Sequence, residues 1–279
     1  SQTLAGRIAY LVLLPFTVTE ISAAGPVYPL LTKGFYPPVH DQPVDASTWY
    51  ANYIRTYIER DVRQLKNISD LYAFERFVRL CAGRTGQLLN MSNLAIEAGV
   101  DAKTVASWIG ILESSFVVYR LQPHHHSFNK RVVKMTKLYF YDTGLACALL
   151  GITPLQLPVH PFTGALFENF VMGEMIKIRY NMGKQGNLFF WRDNTGHEVD
   201  ALLDTSTGLY PVEIKAGQTI TSDYFRGLSY WNKISGQEGG TLVHAGSERQ
   251  SRSNCIEVLP LNAIHAIRGL GFGVQAIEN

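Results

Sequence analysis

Charge of one sign is what this 279-residue chain lacks: 25 basic side chains stand against 23 acidic ones, a formal net charge of +2. That balance excludes a protein that holds nucleic acid or an anionic membrane by its overall field, so any basic footprint must be local. Charged residues are sparse, at 17% against 46% hydrophobic, which excludes disorder and leaves enough apolar side chains for real cores. Cysteine is scarce too. Cys81, Cys147 and Cys255 lie far apart, form no metal-type spacing and no even disulfide set, and point to a reducing cytoplasm. No long hydrophobic run is present. The most apolar stretch, Ile8 to Phe16, is broken by Pro15, is far too short to span a bilayer, and lacks the features of a signal peptide. Internal repeats and low-complexity tracts are absent. So is any Gly-x-x-x-x-Gly-Lys-Ser/Thr loop; the look-alikes Gly83-Arg84-Thr85-Gly86 and Gly183-Lys184-Gln185-Gly186 have the wrong spacing. No ATP-binding residue is therefore assigned, and no ATP hydrolysis is expected from this chain alone.

What is there suits two or three modest domains. Ile8 to Leu14 reads as a strand apolar on both faces, which needs sheet partners that the neighbouring sequence does not supply. With Ser1 in place of a methionine, residues 1–45 read as the remnant of a larger domain followed by a proline-rich linker, Gly25 to Pro43. Residues 46–153 open on a helix from Trp49 to about Lys66, capped by Ser47 or Thr48, with Tyr50, Tyr53 and Tyr57 on its core side. A second helix follows around Ser69 to Cys81. Leu89 to Ile109 has helix-turn-helix grammar: Ala95 is small where a partner helix packs, Gly99 suits a left-handed turn, and Asp101 caps the next helix. Two strands, Phe116–Leu121 and Lys137–Asp142, complete an expected winged helix-turn-helix. Thr153 to Pro161 marks a boundary. Residues 154–279 then read as helix (164–179), strands (188–193, 197–204, 209–215), helix (222–234) and strand (240–244). The expected class is an α+β or α/β multidomain chain ending in a mixed-sheet domain.

Polar residues in that last part carry the chemistry. Residues two apart on a strand share a face, so Glu213 and Lys215 project together with Val212 and Ile214 buried behind them. A hairpin turn at Thr205 to Gly208 can bring Asp200 beside Glu213. Two carboxylates can hold a hard divalent cation such as Mg²⁺, which polarises a phosphodiester and activates water, while an ammonium positions the nucleophile. Asp200 and Glu213 are the expected metal ligands, with Lys215 beside them. Glu168, a carboxylate among Leu166, Phe167 and Phe170, can complete the set, and Glu198 is an alternative ligand on the face of Asp200. The competing reading is a solvated strand edge with salt bridges.

This Asp…Glu-x-Lys pattern behind an acidic helix resembles the PD-(D/E)XK superfamily of restriction-endonuclease-like folds, over roughly residues 164–244. The resemblance implies a Mg²⁺-dependent phosphodiesterase with Asp200, Glu213, Lys215 and Glu168 as its catalytic set. A wider resemblance is carried by Leu4-Ala5-Gly6-Arg7, Leu13-Leu14-Pro15-Phe16, Tyr57-Ile58-Glu59-Arg60-Asp61-Val62, Lys137-Leu138-Tyr139-Phe140-Tyr141-Asp142-Thr143-Gly144-Leu145 and Glu213-Ile214-Lys215. It is to prokaryotic AAA-type ATPases with a C-terminal domain of unknown function. It implies the C-terminal part of a DNA-associated ATPase, with ATP bound only in a full-length member, or else a non-catalytic regulatory or protein-interaction module that keeps the fold.

For DNA, the candidate contacts are Lys103, Thr104 and Ser107 on the second helix of the turn and Lys130, Arg131, Lys134 and Lys137 on the wing. The alternative is a solvated hairpin or a protein-binding surface, including one for a second copy of the chain. No membrane partner is expected. Three consecutive histidines, His124 to His126, cannot all reach one ion from a strand and read as a polar wing. Arg60 and Asp61 read as an ordinary helix-surface pair.

Overall fold

Proline starts helices here where the sequence suggested a spacer. The computed structural model describes residues 11–21, 25–58, 70–125, 128, 131–184 and 186–271. In it, the proline-rich stretch forms α1 (Val27–Lys33) and α2 (Pro38–Asp41). Pro26 precedes α1, and Pro37 and Pro38 open α2, positions whose backbone N–H has no helical acceptor anyway. Leu31, Phe35 and Val39 are buried, so this stretch belongs to the core. Residues 11–14 form no strand, and Leu11 and Leu13 are 86% and 93% exposed. The rest of that expected strand, with Leu4 to Arg7, lies outside the described residues.

Helix α3 (Ala46–Thr56) begins earlier than expected because Asp45, not Ser47 or Thr48, caps it; the Asp45 carboxylate accepts Thr48 N–H at 3.0 Å. Tyr50 and Tyr57 are buried, and Tyr53 stacks on Trp49 at 5.0 Å, so the tyrosines serve packing. Residues 59–69, including Arg60 and Asp61, lie outside the described residues. Then come α4 (Leu71–Ala82), α5 (Met91–Ala98) and α6 (Ala102–Ser114). Between the last two, Gly99 takes φ +73° and Asp101 accepts Thr104 N–H at 2.9 Å. That turn follows the sequence. Strands β1 (Val118–Leu121) and β2 (Lys137–Phe140) pair antiparallel.

β2 is shorter than expected because Asp142 leaves it to cap an unanticipated helix, α7 (Thr143–Leu150). Buried Asp142 accepts Leu145 N–H at 2.7 Å, Phe35 N–H at 2.6 Å and the Tyr50 hydroxyl at 2.7 Å. A Cβ on Gly144 would lie 2.4 Å from the Tyr50 hydroxyl, so this Asp-Thr-Gly segment ties α1, α3 and α7 together. Its work is architectural.

The last part is α8 (Thr163–Asn181), β3 (Leu188–Arg192), β4 (Glu198–Thr205), β5 (Gly208–Lys215), α9 (Arg226–Ser235), β6 (Gly240–His244), β7 (Gln250–Ser251) and β8 (Ile256–Pro260). The strands form one mixed six-stranded sheet in the order β3-β4-β5-β6-β8-β7, parallel at β5-β6-β8 and antiparallel elsewhere. Ala201, Leu203, Val212 and Ile214 pack into the main core with Leu166 and Phe170 of α8. Val199, Leu202 and Trp191 pack with Trp231 of α9, and Leu242 and Val258 with Leu228. The sheet thus lies between the two helices. The main core runs without a break across residues 153–161: Phe35 stacks on Phe170 at 5.0 Å, and Glu174 accepts Val18 N–H at 2.9 Å.

The β1–β2 connection is not a free wing. Val133 N–H donates to Arg192 O at 3.0 Å and His124 N–H to Phe190 O at 2.7 Å, so these described parts of the connection lie along β3, the edge strand of the large sheet. An edge strand left bare would offer unpaired N–H and C=O groups, and this packing covers them.

Candidate functional site

Where β2 meets α8 and β4, charged side chains concentrate in an otherwise apolar interior. Asn169 of α8 sets the joint: its amide group accepts Phe140 N–H at 2.7 Å and donates to Phe140 O at 3.0 Å, clamping β2 onto the helix. Glu168, one residue earlier, then meets the two β2 side chains that share its face. Its Oε1 accepts from Lys137 Nζ at 2.9 Å and from the Tyr139 hydroxyl at 2.6 Å.

Strand β4 brings the other carboxylates. Pairing with β3 shifts between Phe189 and Trp191, which leaves Asp200 and Ala201 opposite the single residue Phe190. Such a bulge re-aims side chains, and it stands beside the charged cluster. Carboxylate oxygens of Glu168, Glu198 and Asp200 all lie within 4.8 Å of one another. Lys137 also contacts Glu198, whose second oxygen accepts from Arg192 at 2.8 Å.

Asp200 links this cluster to the other sheet face. Its Oδ2 accepts Ile214 N–H at 2.8 Å and stands 3.6 Å from Lys215 Nζ. The register Ala201↔Val212 sets Asp200 across from Glu213, and Lys215 Nζ reaches Glu213 Oε1 at 2.5 Å. Glu213 Oε2 is buried without a hydrogen-bond partner, against Gly227 of α9, where a Cβ would approach it to 2.3 Å.

The electrostatics follow from burial among like charges. Desolvation, then the Asp200 carboxylate, pushes Glu213 up to about 8 in spite of Lys215. Glu168 is raised by burial and by Asp200, with Lys137 opposing. Burial pulls Lys137 and Lys215 down, but the surrounding carboxylates outweigh it and both ammonium groups are held in the charged form.

The structure therefore brings Glu168, Asp200, Glu213 and Lys215 into one neighbourhood, in two groups joined at Asp200. The residues that share three-way ligand distance are Glu168, Glu198 and Asp200, while Glu213 pairs with Lys215 outside that trio. An all-oxygen donor set fits a hard divalent cation in kind: oxygens within 4.8 Å of one another fall within about twice a Ca²⁺–oxygen bond, whereas two bonds to Mg²⁺ span only about 4.2 Å. Sequence reasoning missed the central place of Lys137, which is 2% exposed and ion-paired rather than displayed on a wing for DNA. The signal was a lone lysine in the aromatic strand Lys137-Leu138-Tyr139-Phe140, all of it buried.

The remaining expected DNA contacts differ in exposure and in the bonds they already make. Lys103 is exposed, but Thr104 donates its hydroxyl to the capping Asp101, and Ser107 is half-buried. Arg131 and Lys134 are exposed, and Lys130 lies outside the described residues, as does His126. His124 packs edge-on against Phe189 at 5.2 Å. No helix among the described residues is long and apolar enough to cross a membrane.

Comparison with known proteins divides the chain at the same place as the proline-rich boundary. Residues 27–156 match a domain of unknown function, DUF8612, and residues 163–264 match another, DUF4143. Uncharacterized proteins of Mycobacterium bovis (Mb2031c) and Mycobacterium tuberculosis (Rv2008c) are each 30% identical over 222 residues, covering 78% of this chain and 49% of theirs. The chain thus spans about half the length of the curated relatives it matches. No solved structure matches it.

Proposed function

We propose that the chain is a nuclease-like module of the PD-(D/E)XK type joined to a winged helix, the C-terminal part of a DNA-associated AAA-type ATPase. The observation that carries this reading is the trio Glu168, Glu198 and Asp200 within 4.8 Å, with Lys215 3.6 Å from Asp200. A bound Mg²⁺ would supply Lewis acidity and an activated water. Glu168 and Asp200 would hold it, with Glu198 as the third carboxylate. Lys215 places a fixed positive charge where negative charge develops on a phosphodiester, and Glu213, held up near pH 8, keeps that ammonium aimed. The antiparallel pair after α4, α5 and α6 supports the winged-helix part, with Lys103, Arg131 and Lys134 as its exposed cations. The AAA-type context is supported by the DUF4143 match, a domain often found at the C-terminus of such ATPases, and by relatives of whose length the match covers about half.

A second reading is a non-catalytic regulatory or protein-interaction module. One feature favours it: Lys137, Arg192 and Lys215 already neutralise the carboxylates. Incubation of the purified chain with duplex and single-stranded DNA, with and without Mg²⁺ or Mn²⁺, separates the two. Ion-dependent cleavage lost in Asp200→Asn supports the nuclease reading; no cleavage of either substrate with either ion gives the module to the second.

A further inference from the structure

The candidate centre already contains a cation. Lys137 is 2% exposed and its ammonium contacts two of the three carboxylates of the trio, Glu168 at 2.9 Å and Glu198. It also lies 5.5 Å from the Phe190 ring centroid, on the residue that faces the β4 bulge. The lysine and the carboxylates come from different parts of the chain. Lys137 belongs to the region matching DUF8612, and Glu168, Glu198 and Asp200 to the region matching DUF4143. A buried ammonium costs desolvation, and a strand residue that closes a cluster across two regions is held there by the charges it meets.

We propose that Lys137 is the resident counter-cation of this centre, and that a divalent ion binds the trio only when the Lys137 ammonium withdraws. This rests on the metal-binding reading above and adds its regulation. Lys137 contacts two of the three carboxylates directly, so an ion seated on the same oxygens would meet its ammonium in a desolvated pocket, a closer repulsion than that of Lys215, which stands 3.6 Å from Asp200. The backbone of Lys137 is fixed, paired with Leu121 of β1 and bridged to Leu88, so the side chain alone must swing off the carboxylates. The centre as folded is therefore closed, and withdrawal of the Lys137 ammonium opens it.

The test uses the whole chain and Mn²⁺ as the probe. Mn²⁺ affinity is measured by electron paramagnetic resonance for the wild type, Lys137→Gln, Lys137→Met and each combined with Asp200→Asn. In parallel, lysine acetylation of the wild type is mapped by mass spectrometry with and without saturating Mn²⁺. The expected result is at least tenfold tighter binding in Lys137→Gln, lost again with Asp200→Asn, and faster acetylation of Lys137 when Mn²⁺ is present. Equal, Asp200-dependent affinity in wild type and Lys137→Gln, with Lys137 equally protected throughout, would overturn the displacement while leaving the metal reading intact. Absence of Asp200-dependent binding in every protein would overturn the metal reading, and this inference with it. If the Lys137 variants do not fold, the acetylation of the wild type decides.

Discussion

Replacing Glu213 by glutamine should make the protein more stable at alkaline pH, and less sensitive to pH altogether. Glu213 is 6% exposed, has one oxygen on Lys215 and the other without a partner, and is pushed up to about 8 by burial and by Asp200. In the unfolded chain its pKa returns to the ordinary 4.5. Between these values the folded state binds a proton that the unfolded state has released, so stability is lost as pH rises from about 4.5 to about 8 and levels off above. At ~1.4 kcal/mol for each tenfold in proton affinity, the loss is roughly 5 kcal/mol across the window. Glutamine keeps an acceptor for Lys215 and carries no charge, so Glu213→Gln removes this term. Urea unfolding followed by circular dichroism at pH 5, 7 and 9 reads it. The variant should match the wild type near pH 5 and exceed it by several kcal/mol at pH 9. Parallel stability curves for the two proteins would refute the burial and charge-crowding argument.

Other perturbations probe the frame around the centre. Lys177→Met strands the buried carboxylate of Glu174, which Lys177 contacts at 2.9 Å, and should cost about 3–5 kcal/mol, whereas adding Glu174→Gln should recover part of it in thermal melts. Gly227→Ala puts a methyl 2.3 Å from Glu213 Oε2 and 2.9 Å from Glu198 O, and calorimetry should show about 1–3 kcal/mol of destabilisation. For DNA, removing the exposed Arg131 and Lys134 together should weaken binding to all sequences alike and flatten the log-affinity versus log-salt slope by about 0.9 for each lost contact. An unchanged slope in fluorescence anisotropy would remove that surface from the DNA interface.

How much was legible depended on whether a residue's role is local. Gly99 and Asp101 fix a turn with their own backbone and side chain, and Glu213 and Lys215 share a face by strand periodicity alone, so both were readable. The hairpin Thr205–Gly208 was readable for the same reason. Lys137 was not, because its partners Glu168 and Glu198 lie 31 and 61 residues away and only packing of β2 on α8 brings them together. The bulge at Asp200 is set by a pairing irregularity with β3 that no pattern within β4 announces. Asp142 looked like the end of a strand, yet its carboxylate accepts from the N–H of Leu145, from Phe35 N–H just after α1 and from the Tyr50 hydroxyl of α3. Prolines 26, 37 and 38 were read as breakers where they act as helix starters, a distinction that needs the following residues to be seen packed.

The central claim is that the Glu168, Glu198 and Asp200 carboxylates form a divalent-cation site. Crystals grown with Mn²⁺, with diffraction recorded at the manganese absorption edge, test it most directly. The account predicts an anomalous peak within bonding distance of Glu168 and Asp200 oxygens, with the Lys137 ammonium moved off Glu168. Fully occupied crystals with no peak there, and Lys137 still bridging Glu168 and Glu198, would contradict it.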